Sequence, residues 1–122
     1  RADIVAVGFQ ELIQLSSHSV AQDEAKSQIA KTNLVRDRAC KYWAKELKET
    51  LNSNFHSNAE EYTLLKDIRM TGVYLAVFVK YNLRTRIYNA RCNVSKEGVL
   101  GKLGNKGGVA IRFSIYDSSN SM

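Results

Sequence analysis

A mixed α/β domain with antiparallel hairpins in its second half is the fold class this sequence predicts, on three observations. A short apolar run, Ile4 to Val7, stands almost at the start. The long stretch from Val20 to Leu51 then holds neither Pro nor Gly and has a helical composition. From Tyr62 onward, apolar and alternating runs return, separated by glycines and polar residues. The order is strand, helical region, then three or four strands.

Ile4 to Val7 has the continuous apolar character of a strand covered on both faces. Gly8-Phe9-Gln10-Glu11 leads out of it, and Leu12 to Leu15 continues as a turn or a short helix. Ser19 with Gln22 has the form of a capping box, which starts a helix near Val20. Val35, Ala39, Trp43, Leu47 and Leu51 step by four, an apolar stripe that should face a core. Arg36, Lys41, Lys45, Lys48 and Glu49 flank that stripe. Lys31 to Asn33 is where the region would divide into two helices, and Asn52-Ser53-Asn54 ends it. Tyr62 to Ile68 begins the β-rich half, and Gly72 to Val79 is the strongest buried strand. Thr85 to Val94 alternates more loosely, with Arg84, Arg86 and Arg91 in and beside it, and reads as half exposed. Gly107 to Ile115 alternates and forms the last strand.

A chain of 122 residues and 13.7 kDa with 44% hydrophobic residues fits one domain with its own core. The supply of aromatic and β-branched residues excludes intrinsic disorder. No apolar run approaches the ~20 residues that cross a bilayer, and no signal-peptide pattern opens the sequence. A strand that begins by the third residue, without an initiator Met, leads us to expect an excised or processed piece. Cys40 and Cys92 form neither a disulfide framework nor a metal cluster and read as two reduced thiols.

The formal charge of +6 is unevenly spread: Lys80 to Arg112 carries eight basic residues and one acid, so the remainder is near neutral. Such a local basic field suits an anionic partner, whether phosphate, nucleic acid or acidic lipid headgroup, although a solvated surface satisfies it equally. At its end lies "VLGKLGNKGGVAIRF", residues 99 to 113; counted from Gly98 just ahead of it, Gly101, Gly104 and Gly107 recur every third residue and Gly108 follows at once. Neither a Walker loop nor G-x-G-x-x-G is present, so ATP and dinucleotide binding through those motifs are unsupported. Glycines that permit positive φ let consecutive N–H groups converge on an anion, with Lys102 and Lys106 as point charges and Asn105 as an amide donor. A glycine-rich hairpin turn accounts for the same residues. Glu11 follows a buried strand, where α/β sheets commonly host ligands, and Mg²⁺ is often held by one or two carboxylates plus phosphate. A surface carboxylate is the plainer account of Glu11 taken alone. His18 and His56 lie in polar contexts without a ligand spacing, and no Ser-His-Asp or Cys-His arrangement is visible. Trp43 and the tyrosines fall at core spacing and read as packing.

Taken together, "VGFQEL" after the first strand and "GNKGGVAIRF" ahead of the last resemble the inositol polyphosphate 5-phosphatase family. The likeness is to the synaptojanin-type and oculocerebrorenal-type catalytic domains, within the Mg²⁺-dependent endonuclease/exonuclease/phosphatase superfamily. The FQE element is shared across that superfamily, whereas GNKG followed by a VAIRF-type strand is more specific to the 5-phosphatases. The resemblance implies a fragment of a two-sheet α/β sandwich of the DNase I-like type, with Glu11 ligating the catalytic Mg²⁺. It implies that Asn105, Lys106 and Lys102 hold a phosphorylated inositol, and that the reaction is hydrolysis of its 5-phosphate. Expected partners are phosphoinositide headgroups or soluble inositol phosphates at a cytoplasmic, peripheral membrane surface, with no nucleic acid.

The family's Asn ahead of FQE is absent. So are its later S/T-H-L/F, G-D-L/F-N-x-R, P-x-W-C-D-R and S-D-H motifs, and Lys96-Glu97-Gly98 stands where many members carry a threonine-glycine pair. Residues 1–122 are therefore expected to be the N-terminal-to-central part of a catalytic domain, inactive alone. Two other readings stay open: a Mg²⁺-dependent nuclease of the same superfamily, and a non-catalytic domain that binds phosphoinositides or a protein.

Overall fold

The computed structural model describes residues 1–10, 22–54, 58–70, 72–97 and 106–117. Five strands are described: β1 (Ile4–Phe9), β2 (Tyr62–Met70), β3 (Val73–Lys80), β4 (Ile87–Glu97) and β5 (Lys106–Ile115). Helix α1 (Gln22–Asn52) lies between β1 and β2, and a short helix, α2 (Tyr81–Arg84), joins β3 to β4. One sheet has the order β1-β3-β2 and the other is the β4–β5 pair; every pairing is antiparallel. This is the expected mixed α/β, two-sheet arrangement.

β3 organises the first sheet because it is apolar on both faces. Tyr74, Ala76 and Phe78 point toward α1 and join Cys40 and Tyr62 in one buried cluster, with Val5, Phe9, Leu47, Leu51 and Leu64 packed around it. Phe78 and Val79 are fully buried, and burial of each such side chain stabilises by about 1.5–3 kcal/mol. The β4–β5 pair packs against β2 and β3 from the other side. The end of α1 is clamped to the start of β2: Asn52 Nδ2 donates to the Tyr62 carbonyl (2.9 Å), and the Tyr62 N–H donates to Asn52 Oδ1 (2.7 Å). Arg1 lies over the Tyr62 ring, 4.5 Å from its centroid, and its guanidinium donates to the Leu51 carbonyl at 2.9 Å. The Tyr62 hydroxyl donates to the Ala2 carbonyl, so the N-terminus is tied to the same corner.

Four expectations change. α1 is one continuous helix rather than two, because nothing between Gln22 and Asn52 removes an N–H donor or breaks the ladder. Its core-facing centre is Cys40, with Leu47 and Leu51; Trp43, assigned to the core stripe, is 37% exposed and instead leans on Phe9 at 5.2 Å. β1 is covered mainly on one face, because Val5 and Phe9 pack on the α1-side cluster while the β4–β5 pair makes its contacts with β2 and β3: Val5, Val7 and Phe9 are half-buried while Ala6 and Gly8 are exposed. Of the tyrosines, Tyr62 and Tyr74 are buried, but Tyr42, Tyr81, Tyr88 and Tyr116 are exposed. The capping box at Ser19, the segment Leu12 to Leu15, His18 and His56 lie outside the described residues.

Two β-bulges set which side chains meet. In β2 the register shifts by one between Leu64 and Lys66. Asp67 and Arg69 thereby come to the α1 face, opposite Ala76 and Tyr74. There Arg69 pairs with Asp37 of α1, and the Tyr74 hydroxyl donates to Asp67 Oδ2 at 2.9 Å. In β4 the shift falls between Tyr88 and Arg91. The bulge contains Asn89, whose φ of 55° is left-handed, a conformation Asn tolerates better than most residues.

Candidate functional site

β4 starts directly after α2, hence beside the end of β3, and Cys92 midway along it donates through Sγ to the Asp67 carbonyl of β2 (3.8 Å). β4 therefore runs from the end of β3 back toward its beginning. Its last residue, Glu97, and the first of β5, Lys106, reach the same end of the sandwich as Phe9 of β1, which pairs with Tyr74. The two segments that carry the sequence motifs thus emerge at one end of the two sheets.

Gln10 precedes Glu11, and Glu11 lies outside the described residues, as do Lys102 and Asn105. Lys106 opens β5 with its backbone in register opposite Glu97, and its side chain lies outside the description. The two glycines after it are not equivalent. Gly107 sits opposite Lys96 at φ +148°, and a Cβ there would collide with the Ser95 carbonyl; Gly108 has open space where its Cβ would be. Of this pair, entry into β5 therefore requires glycine at 107 and not at 108, which makes the G-G pair a structural device at its first position.

The basic block divides once its partners are seen. Lys80 is buried, with Nζ 3.5 Å from Asp3 and 4.0 Å from Glu60. Arg84 donates to the Leu64 carbonyl (2.9 Å), and Arg86 Nε to the Tyr116 carbonyl (2.9 Å). These three hold the sandwich together. Arg91, Lys96 and Arg112 are exposed on the β4–β5 pair. Charge counting along the chain could not make this division, because it depends on which cations find carbonyls and carboxylates in the fold.

Among the described residues no three His, Cys, Asp or Glu side chains come together to hold a metal ion. Glu11, the carboxylate expected from the sequence to meet a divalent ion, follows Gln10 and lies outside the described residues. The clefts among the described residues include two of similar size. One of about 230 Å³ between α1 and the first sheet is lined by Asp37, Cys40, Lys41, Asp67 and Tyr74 among others. Burial pushes the Cys40 thiol up, against the lowering effect of Arg69. Burial first, and then the hydrogen bond to Asp67, pushes the Tyr74 phenol up as well. Neither group is primed as a nucleophile, so this cleft is a packed polar seam. The other, of about 210 Å³, is formed by Asn89, Arg91, Arg112, Phe113 and Ser114 on the outer side of the β4–β5 pair. Sequence reading missed it; the only sign was the loose alternation around Asn89.

The family model that matches is endonuclease/exonuclease/phosphatase family 2, over residues 1–122. A type I inositol polyphosphate 5-phosphatase of Arabidopsis thaliana is 30% identical over 97% of this chain and 29% of its own length. Human synaptojanin-2 is 30% identical over 97% of this chain and 7% of its own. An inositol-1,4,5-trisphosphate 5-phosphatase of Schizosaccharomyces pombe is 35% identical over 96% of this chain and 10% of its own. Among solved structures, the inositol polyphosphate 5-phosphatase domain of SPsynaptojanin, crystallised with inositol (1,4)-bisphosphate and a calcium ion, superposes with a TM-score of 0.65. It is 33% identical, over 93% of this chain and 27% of that one. The chain spans less than a third of each of these proteins.

Proposed function

The chain belongs to endonuclease/exonuclease/phosphatase family 2, and from that premise we propose that the protein containing it hydrolyses the 5-phosphate of phosphoinositides or inositol polyphosphates. The observation that carries this reading is the pair of motifs at one end of the sandwich, "VGFQEL" leaving β1 and "GNKGGVAIRF" entering β5. The bound inositol bisphosphate in the related domain agrees with it. The nuclease reading lacks the second motif, and a binding-only role is separated from it by turnover.

In this proposal Glu11 is a ligand of Mg²⁺, which when bound supplies polarisation of the phosphoryl oxygen and stabilisation of developing charge. Asn105, Lys106 and Lys102 hold the anionic headgroup. Asn105 donates through its amide, and the two ammonium groups neutralise phosphate charge that builds at the ring positions. Gly107, with its positive φ, brings the loop backbone into β5 without a side chain in the way. The family's S/T-H-L/F and S-D-H motifs, whose histidine and aspartate groups would activate water, do not occur in residues 1–122, so these residues alone are expected to bind without turnover. The protein acts as a peripheral partner of the cytoplasmic leaflet, where such headgroups are displayed.

Phosphate release from phosphatidylinositol bisphosphate by the intact protein, with Mg²⁺ present, tests the reading. Glu11→Gln is expected to lower kcat by orders of magnitude with unchanged unfolding, and Lys106→Gln to raise KM. Cleavage of abasic-site DNA in place of phosphate release would establish the nuclease; headgroup binding with no turnover in the wild-type protein would establish the binding role.

A further inference from the structure

We propose that the cleft formed by Asn89, Arg91, Arg112, Phe113 and Ser114 is a second anion site that takes a phosphate monoester, apart from the loop that holds substrate. Arg91 and Arg112 face each other directly in the β4–β5 ladder. Like charges at directly opposed positions repel, and such pairs destabilise a sheet unless something lies between them. Among the described residues neither guanidinium has an ion-pair or hydrogen-bond partner. The other arginines of the basic block, Arg84 and Arg86, are both bonded to carbonyls.

The opposition is produced by the bulge. From the Tyr88–Ser114 pair, an uninterrupted ladder would set Arg91 against Ile111; the extra residue sets it against Arg112. The extra residue is held by Asn89 at a left-handed φ, a conformation that costs free energy and concentrates at functional sites. A local strain thus creates a like-charge pair, an arrangement with no stabilising role for the chain itself. It also builds the cleft, since Asn89 and Ser114 line it together with the two arginines. Two planar forks, an amide and a hydroxyl are donors suited to a tetrahedral oxyanion, and arginine is the side chain whose geometry matches phosphate oxygens in pairs. Six positions of β5 separate Arg112 from Lys106, roughly 20 Å at strand spacing, so one phosphate group cannot serve both places. The site does not rest on the catalytic reading.

The monoester can be free or carried on a lipid headgroup, and the experiment has an arm for each. Calorimetric titration of the intact protein with glycerol phosphate, in a Lys106→Gln background that weakens the substrate loop, should show saturable binding. Arg91→Gln or Arg112→Gln should each weaken that binding about tenfold or more, as expected for loss of charge-assisted hydrogen bonds. Sedimentation with phosphatidylcholine vesicles carrying phosphatidylinositol 4-phosphate gives the second arm. Vesicle binding lost in the double variant assigns the lipid source; glycerol phosphate binding lost with vesicle binding unchanged assigns the free one. Folding is controlled by melting temperature: without phosphate the double variant should melt no lower than wild type, since a repulsion has been removed. Added phosphate should raise the wild-type value and leave the variant's unmoved at that site. Equal affinity of wild type and double variant for both probes would overturn the proposal.

Discussion

The two hairpins of this molecule are built alike and end differently. β2–β3 and β4–β5 are both antiparallel pairs, and each carries one bulge. β3 is buried along nearly its whole length, packed between α1 and the second sheet. β4 is exposed at almost every position from Tyr88 on, even though Cys92 and Val94 alternate toward the first sheet. The difference lies in what covers each pair, not in strand propensity. It divides labour as well: the covered hairpin supplies the core, and the open one leads into the glycine loop and carries arginines without a partner among the described residues.

The contrast is broken most directly by truncation at its buried end. Phe78→Ala should cost about 3–5 kcal/mol by urea unfolding, the range for an aromatic removed from a packed core. Val94→Ala on the open hairpin, already 37% exposed, should cost less than about 1 kcal/mol. Equal costs would mean that the β4–β5 pair is as fully enclosed as β3.

The next effect is confined to the open hairpin and separates two adjacent glycines. Gly107→Ala should destabilise by about 1–3 kcal/mol through its φ and the collision with the Ser95 carbonyl, while Gly108→Ala should stay within about 0.5 kcal/mol. In a substrate assay Gly107→Ala should also raise KM, since the loop would enter β5 differently.

On the covered side, Tyr74→Phe removes the hydroxyl bond to Asp67 and should cost about 1 kcal/mol at neutral pH. The pH dependence has a definite sign. Tyr74 and Cys40 both hold their protons more tightly folded than unfolded, where they titrate near 10.0 and 9.0. The unfolded chain releases them first as pH rises, so stability is complete below pH 9 and declines above it. Tyr74→Phe should flatten the decline above pH 10 in a pH series of unfolding midpoints. The smallest effect is expected at the Asp37–Arg69 pair, which is partly exposed: Asp37→Asn should cost no more than about 1 kcal/mol, and less in high salt.

Much of this was legible along the chain. β3 announced itself by its uninterrupted apolar run, and the strand entering from Gly107 by its alternation, because burial on both faces or on one leaves those periods in the residues. The motifs around Glu11 and Asn105 to Lys106 were legible as a family resemblance, and the family they pointed to is the one the chain belongs to; the roles proposed for those side chains lie outside the described residues. In α1 the expected stripe of Val35, Ala39, Trp43, Leu47 and Leu51 leaves out Cys40, the residue the fold buries, because a stripe stepping by four drifts around a helix of 3.6 residues per turn. Trp43 was read inward for the same reason.

What the sequence determined by itself is the class of element at each place and the chemistry available there: apolar β3, a helix without breakers, glycines and lysines ahead of β5. Which charged side chains meet was decided only in the tertiary structure. A bulge after Leu64 turns Asp67 and Arg69 toward α1, and a bulge at Asn89 sets Arg91 against Arg112. A strand's side chains alternate with a period of two, so one extra residue exchanges its faces, and the ladder's hydrogen bonds rather than the identities of the residues decide where that residue is placed.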